Sequence, residues 1–335
     1  MEDSFMLRKR RFQRVVQKLK LGVALFSIWV LLPYVVTVFV SGPQILGIDK
    51  KDSTKAAYVS YDSGEKERQI GWEEYFIGVL AEEMPADWNI EALKAQAVIL
   101  RTTLYQTFET TKTNGVTMDY LSRKELEKKW GIYFSGYLKK YQKAMQETQN
   151  EILRFQGETA ELPFHRSSNG STRNASEVWE SNAYPYLAAK ECPADKQAEE
   201  EMHVVCFTYE ELEEKLRPEL EAVREEEAGK ALELADFEIR QTDSAGYVTK
   251  IQVQNTVFSG EKFRKLLGLA SGAFSLKEWE GQLMFMVTGN GHGLGMSQWT
   301  ANEMARTGSS YQEILEYFFA GTELEQVEEI FEKTE

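Results

Sequence analysis

The chain is poor in the residues that most often hold catalytic metals, with three histidines and two cysteines among 335 residues. None of the histidines falls in a His-Glu-x-x-His motif, the helical pair that binds zinc in many metalloproteases. A catalytic zinc site needs about three protein ligands and an open coordination position. The scarcity of histidine therefore disfavours a metal-dependent hydrolase.

The two cysteines leave three interpretations open. Outside a cell, Cys192 and Cys206 could form a disulfide. His203 lies close before Cys206, so a structural zinc with His165 as the fourth ligand is an alternative. They could also be two free thiols. No motif demands a cofactor, and a structural zinc stays a candidate.

Basic residues are scarce after residue 20, where 32 Lys and Arg stand against 51 Asp and Glu, a net charge of −19. The phosphates of nucleic acids need a basic surface, so this balance argues against a nucleic-acid partner. A polysaccharide remains compatible, because its binding depends on local groups more than on net charge. The simplest consequence of the acidity is solubility.

A long apolar run lies near the N-terminus. Residues 1–20 carry seven Lys and Arg, and residues 21–40 carry no charge. At ~1.5 Å per residue, a helix of this length spans roughly 30 Å, the thickness of a bilayer core. A cleaved signal peptide usually has a shorter apolar core, followed by an Ala-x-Ala-like site that is missing here. We therefore predict an uncleaved single-pass anchor with its basic end in the cytoplasm.

This anchor divides the chain into a cytoplasmic basic arm (1–20), a transmembrane helix (21–40), a tether (41–65) and an extracytoplasmic domain (66–335). An amphipathic helix is predicted from Asn89 to Phe108, after a helix over 72–84 that must stop before Pro85. Further helices are predicted over 124–149, 199–235, 259–267 and 311–319, and strands near 58–61, 151–155, 162–164, 237–240, 246–253 and 283–287. The predicted fold class is α+β, one domain with a substrate groove.

An acidic pair, Glu82 and Glu83, ends the helix before Pro85. Adjacent helical residues project about 100° apart, so at most one of them faces a given cleft. A carboxyl beside Leu80 and Met84 would be partly desolvated, which raises its pKa and suits it to donate a proton. The alternative is an ordinary solvated acidic pair at a helix end.

Two polar loops are candidates for substrate binding. In the first, Gly289–Gly295, glycines alternate with other residues, which allows backbone to approach a ligand closely; the spacing lacks the dinucleotide-binding pattern. His292 in this loop could orient substrate, assist a proton transfer or simply fill a turn. The second loop, His165–Asn174, could bind sugar hydroxyls, with Trp179 or Tyr186 stacking on a pyranose, or could be an ordinary solvent loop.

Several segments, in order, resemble the family of stage II sporulation protein D and the amidase enhancers. The likeness is strongest in Tyr75–Trp88, which holds Leu-Ala-Glu-Glu-Met-Pro, and covers about residues 66–325. The other matching segments are Glu91–Ala97, Arg101-Thr102, Phe164–Thr172, Val178-Trp179, Pro185–Leu187, Phe263–Leu269, Gly291–Gln298 and Tyr311–Glu323.

The resemblance implies a membrane-anchored lytic transglycosylase that acts on peptidoglycan during engulfment of the forespore, in the space between the mother-cell and forespore membranes. It implies cleavage between N-acetylmuramic acid and N-acetylglucosamine on strands already stripped of stem peptides. The stripping amidase, stage II sporulation protein P, and associated membrane proteins are the implied partners. A non-catalytic peptidoglycan-binding activator of an amidase is the alternative, since the family includes amidase enhancers.

The resemblance also assigns the catalytic acid to Glu83, the glutamate directly before Met-Pro. This carboxyl would protonate the leaving oxygen and then, as carboxylate, take the proton of the muramic acid C6 hydroxyl as that oxygen attacks C1. Substrate contacts are hypothesised for Arg101, His165, Ser168, Asn174, His292 and Gln298.

Overall fold

The computed structural model describes residues 58–62, 67–198, 202–220 and 231–328. The predicted basic arm and transmembrane helix (1–40) and most of the predicted tether lie outside these residues. Within the part of the chain that is described, no helix is both long and apolar enough to cross a membrane.

The described residues form a mixed α+β fold. The helices are α1 Trp72–Glu83, α2 Ile90–Thr111, α3 Arg123–Trp130, α4 Phe134–Glu147, α5 Ala175–Val178, α6 Tyr209–Leu220, α7 Gly260–Leu267, α8 Gln298–Arg306 and α9 Tyr311–Phe318. The strands are β1 Tyr58–Asp62, β2 Glu67–Gly71, β3 Gly115–Val116, β4 Glu151–Phe155, β5 Glu158–Thr159, β6 Phe164–His165, β7 Met202–Phe207, β8 Phe237–Thr242, β9 Val248–Val253, β10 Thr256–Ser259, β11 Ala273–Trp279, β12 Gln282–Thr288, β13 Met296–Ser297 and β14 Glu323–Gln326.

A first hydrophobic core surrounds α1 and α2. The predicted stripe of α2 is buried, with Leu93, Ala97 and Leu100 wholly inaccessible to solvent. This helix begins where the Asn89 side chain accepts a hydrogen bond from the backbone N–H of Glu91, the usual N-cap arrangement. Helices α4, α8 and α9 and the small sheet of β14, β4 and β5 pack around it.

A second hydrophobic core lies between two three-stranded antiparallel sheets, ordered β10-β9-β8 and β11-β12-β7, and helices α6 and α7. Phe263 of α7 is fully buried at its centre. Its ring lies 6.0 Å from those of Phe258 and Phe285 and 5.9 Å from that of Phe274, measured between centroids. These aromatic contacts, at typical packing distances, fix α7 against both sheets.

Most predicted elements are present with small shifts at their ends. Helix α1 ends where predicted, because Met84 is extended (φ −126°, ψ 140°) before Pro85. The capping box of Ser310 and Glu313 opens α9. The region 124–149 is two helices, since Gly131 (φ 51°) interrupts it.

Two predictions need correction. The helix predicted over 199–235 is wrong at both ends. At its start Met202–Phe207 forms β7, where pairing with β12 outweighs the acidic helical pattern around it. At its end residues 231–233 are not helical, and the described α-helix is α6, Tyr209–Leu220. The strand in the predicted tether, β1, belongs to the folded domain: it pairs with β2 and β3, and Val59 is fully buried.

Candidate functional site

The C-terminal end of α1 carries Glu83 into a cleft of about 470 Å³. Pro85 stops the helix here, so the two last residues, Glu82 and Glu83, project from a helix end rather than from its middle. The cleft is lined by Ala81, Glu82, Glu83, Met84, Pro85, Lys129, Phe164, His165, Arg166, Asn290 and Gln298.

The Glu83 carboxyl is an unusually weak acid. Burial raises its pKa above the ordinary glutamate value, and the neighbouring charge of Glu82 raises it further. Desolvation disfavours the ionised form of any carboxyl, so Glu83 keeps its proton to higher pH than an exposed glutamate. A protonated carboxyl that lines a cleft can act as a general acid.

Side chains from distant parts of the chain hold the backbone around Glu83. The side-chain amide of Gln298, at the start of α8, donates to the Glu83 carbonyl (3.2 Å) and to Gln96 Oε1 (3.2 Å). Tyr141 donates its hydroxyl to the Met84 carbonyl at 2.7 Å. The last carbonyls of a helix have no partner within the helix, and these contacts supply partners. Gln298 therefore positions the catalytic candidate.

His165 lies on another wall of the same cleft. Its Nδ1 lies 3.0 Å from the carbonyl oxygen of Leu294, which can only accept, so Nδ1 carries the proton and Nε2 is an acceptor. Burial lowers the pKa of His165 to about 3, with the nearby His292 lowering it further. The ring is therefore neutral at physiological pH.

A fixed cation, Arg166, also lines the cleft. Its guanidinium lies 4.1 Å from the centroid of the Trp88 ring, a cation–π geometry. Trp88 meets Trp299 edge to face, with centroids 5.9 Å apart, and the Trp299 backbone N–H donates to the Arg166 carbonyl at 3.0 Å. This stack places a positive charge in the wall of the cleft.

Alternating glycines let the loop Gly289–Gly295 pack tightly behind the cleft. Gly291 (φ 118°) and Gly295 (φ 70°) have backbone conformations that other residues rarely adopt. A Cβ on Gly291 would lie 2.5 Å from that of His165, and one on Gly295 would overlap the Pro163 carbonyl. Glycine is thus needed at these two positions for close packing beside β6, while Asn290 of the same loop lines the Glu83 cleft.

Asp195, which the sequence analysis did not single out, joins the loops of the site. Its buried carboxylate accepts hydrogen bonds from the Ser168 N–H (2.6 Å) and hydroxyl (2.6 Å) and from the hydroxyls of Ser297 (2.7 Å) and Thr300 (2.7 Å). These donors come from the His165–Asn174 loop and from the start of α8. A single aspartate after Cys-Pro-Ala gives no local signal of such a role.

Of the six predicted substrate contacts, His165 and Gln298 line the cleft with Glu83, and the other four do not. Arg101 of α2 is 2% exposed. It donates hydrogen bonds to Thr148 Oγ1 and to the carbonyls of Met145 and Glu151. Arg101 therefore stabilises the packing of α2 and cannot reach a substrate. Ser168 is fully buried and donates its hydroxyl to the carboxylate of Asp195.

Asn174 and His292 lie elsewhere. The side chain of Asn174 caps α5 by accepting from the N–H of Ser176 at 3.1 Å, a structural role. His292 lines a second cleft, although its ring centroid is 5.8 Å from that of His165. Lys129, Arg166 and Asn290 line the Glu83 cleft and were missed, because no local pattern shows that these distant segments meet.

The candidate zinc ligands do not converge. His203 and Cys206 are three residues apart on β7, and side chains at odd separations along a strand point to opposite faces. Cys192 is buried and Cys206 is exposed, and both are free thiols. Among the described residues, no three His, Cys, Asp or Glu side chains form a group that could hold a metal ion. The proposed ligand set does not fit zinc.

Known proteins resemble this chain over most of its length. A family model described as Stage II sporulation protein matches residues 61–155, the segment that contains α1, Glu83 and α2. A protein of Bacillus amyloliquefaciens named stage II sporulation protein D is 32% identical over 303 residues, which cover 84% of this chain and 82% of that protein. The chain belongs to the stage II sporulation protein D family.

Two further relatives are similar to this chain. The stage II sporulation protein D of Bacillus subtilis is 33% identical over 79% of this chain and 77% of its own length. A Bacillus subtilis protein named amidase enhancer is 25% identical over 74% of this chain, but this match covers only 40% of that longer protein. The family is thus one of sporulation proteins, and the amidase enhancer is related to it.

Proposed function

We propose that this member of the family is a lytic transglycosylase that cleaves bonds between N-acetylmuramic acid and N-acetylglucosamine in peptidoglycan stripped of stem peptides. The observation that carries the proposal is one half-buried carboxyl with a raised pKa, Glu83, in a cleft. Among the described lining residues, the only other carboxylate is Glu82, its neighbour on the same helix.

A hydrolase with a conventional mechanism fits this cleft poorly. Glycosidases that use water place two carboxyl groups about 5–9.5 Å apart on either side of the scissile bond. Glu82 and Glu83 project from the same wall, and Glu82 lies on the solvent side, 3.9 Å from Lys129 Nζ. With one carboxyl, the nucleophile must come from the substrate.

The proposed reaction uses Glu83 twice. Its protonated carboxyl donates to the glycosidic oxygen as the bond from that oxygen to C1 of muramic acid breaks. The resulting carboxylate then takes the proton of the C6 hydroxyl while that oxygen bonds to C1. The product is a 1,6-anhydro sugar, Glu83 regains its proton, and no water is consumed.

Other lining groups suit this substrate. Removal of a stem peptide leaves a lactyl carboxylate on the muramic acid, and Arg166 offers a cation held rigidly over Trp88. The neutral ring of His165 adds no positive charge that would oppose the cationic transition state. Gln298 fixes the backbone at Glu83, so that the carboxyl need not reorganise during the reaction.

The test compares two neighbouring carboxyls. Glu83→Gln keeps the shape of the side chain but removes the acidic proton, so we expect at least about a thousandfold loss of turnover on denuded glycan strands. Glu82→Gln, one residue away and exposed, should stay within about threefold of the parent. Equal activity of the parent and Glu83→Gln would refute the proposal, provided that circular dichroism shows both variants folded.

The second candidate function is activation of a cell-wall amidase, favoured by the relationship to a protein named amidase enhancer. The amidase would be the one that strips stem peptides, stage II sporulation protein P. Adding Glu83→Gln protein to that amidase separates the two functions, because activation needs binding but not the acid. Both would act outside the cytoplasmic membrane, between the mother cell and the forespore, if the predicted anchor over 21–40 holds the domain there.

A further inference from the structure

A second cleft of about 980 Å³ has no role in the chemistry proposed above. One wall is α5 with the residues after it, another is formed by β8, β9 and β10, and the third is the glycine loop at His292 and Leu294. Its lining includes Val178 and Phe258, which belong to the first and second hydrophobic cores respectively.

One buried ion pair and two exposed hydrogen bonds hold these walls together. Arg173 forms an ion pair of 2.5 Å with Asp243, in which both side chains are almost fully buried, and also donates to the His292 carbonyl at 3.2 Å. Glu177 of α5 accepts hydrogen bonds from the Ser244 N–H (2.7 Å) and hydroxyl (2.6 Å). The cleft is therefore preformed, which spares a ligand the cost of ordering it.

An exposed aromatic ring, that of Trp179, lies on the α5 wall. The side chain is 40% exposed at the end of α5, and the ring of Tyr184 supports it edge to face with centroids 4.8 Å apart. Glu180, directly after it, has φ 50°, a conformation that is costly for a residue with a side chain. A flat ring held in this way can stack against the apolar face of a sugar.

The lining is rich in hydrogen-bond acceptors. It holds four carboxylates, those of Glu177, Glu180, Asp243 and Glu261, and two cations, Arg173 and Lys250. Asp243 is paired with Arg173, and Glu261 is paired with Arg264 and Lys265, which lie outside the lining. A sugar with hydroxyl and N-acetyl groups suits this lining, because carboxylates accept hydrogen bonds from its O–H and N–H groups.

The two clefts share part of their walls. His165 lines the Glu83 cleft and His292 lines the second, and their ring centroids are 5.8 Å apart. Phe164 lines the first cleft and Pro163, directly before it, lines the second. A strand that fills both clefts must therefore be longer than a fragment that fills the Glu83 cleft alone.

We propose that the second cleft is a remote glycan-binding subsite in which Trp179 stacks on an N-acetylglucosamine unit of the strand that Glu83 cleaves. The inference rests on the proposed glycan substrate and deepens it. Such a subsite lowers the KM for long strands and leaves the chemical step unchanged, since it binds ground state and transition state alike.

The test uses full-length protein in detergent and the variant Trp179→Ala. Its matched control is Trp279→Ala, which removes an equally large ring, 52% exposed on β11 and outside the lining of this cleft. With long denuded strands, Trp179→Ala should raise KM about tenfold at unchanged kcat, and Trp279→Ala should change neither. With the shortest cleavable fragments, all three proteins should behave alike. An unchanged KM for long strands would overturn the inference.

A binding measurement separates this inference from the proposed reaction. Chito-oligosaccharides are neutral polymers of N-acetylglucosamine, and their binding to Glu83→Gln protein, followed by calorimetry, needs no turnover. We expect Trp179→Ala in that background to weaken binding about tenfold. Wild-type protein without transglycosylase activity would contradict the proposed reaction. If Trp179→Ala still weakens the binding of chito-oligosaccharides in that case, the glycan-binding subsite is supported on its own. Binding of free stem peptide, lost with Trp179, would instead contradict the glycan assignment.

Discussion

Glu83 owes its proposed acidity to the point at which one helix ends. Because Pro85 forces the chain out of the helix at Met84, Glu83 sits at the edge of the packed core, half-buried and next to a second negative charge. Its acidity therefore depends on burial first and on Glu82 second. Each cause can be changed separately by a substitution.

The first prediction concerns pH. Since the proton on Glu83 is needed for the first step, the rate should fall as pH rises through its raised pKa. Glu82→Gln removes the second cause of the shift, so the alkaline limb of its pH–rate profile should move to lower pH. The measurement is kcat/KM for denuded strands against pH in both proteins. A limb that stays at the same pH, or moves to higher pH, would show that the charge of Glu82 does not raise the pKa of Glu83.

Single residues also show why the polar site was only partly predictable. The family resemblance singles out Glu83 because this residue lies in a contiguous motif before Pro85, and the structure places it in a cleft. Arg101 and Ser168 look equally polar in sequence, yet long-range partners, Thr148 and Asp195, bury them. Whether a polar residue faces a cleft or satisfies a buried partner depends on contacts that local sequence does not encode.

At the level of elements, the glycine loop is the feature that shapes the back of the site. It brings β13 beside β6 in parallel, with Ser297 opposite His165, and so carries Gln298 towards Glu83. The conformation of Gly295 resembles that of Gly268, the residue after α7, with φ 70° and 69°. Their surroundings differ, because only at Gly295 would a side chain meet the Pro163 carbonyl.

The second prediction compares these two glycines. Gly268→Ala should cost about 1 kcal/mol, the strain of a left-handed conformation with a Cβ. Gly295→Ala adds a steric overlap with backbone and should cost at least about 3 kcal/mol, with a loss of activity as Gln298 shifts. Urea unfolding of both variants measures the difference in free energy. Equal losses would mean that the loop can move away from Pro163.

Elements with local start and stop signals were predictable, and those set by distant pairing were not. Asn89 caps α2 and Pro85 ends α1, so both helices follow from a few neighbouring residues. By contrast, β7 lies next to an acidic helical sequence and exists because β12 pairs with it. Strand β14 is exposed along its length and is fixed by its register with β4.

At the scale of the whole molecule, two clefts share the wall formed around β6 and the glycine loop. One holds a single weak acid, and the other holds an aromatic platform with an excess of carboxylates. This division separates chemistry from strand binding. It also explains how one domain could serve as an enzyme or, if Glu83 were idle, as a glycan-binding activator of an amidase.

The central claim is that Glu83 cleaves glycan without water, and an isotope experiment tests it most directly. Denuded strands are digested in water enriched in heavy oxygen, and the new ends are analysed by mass spectrometry. Anhydro-ended fragments without heavy oxygen are expected from the parent protein, and intact strands from Glu83→Gln. Heavy oxygen at the new reducing ends would show that water is the nucleophile and would contradict the claim.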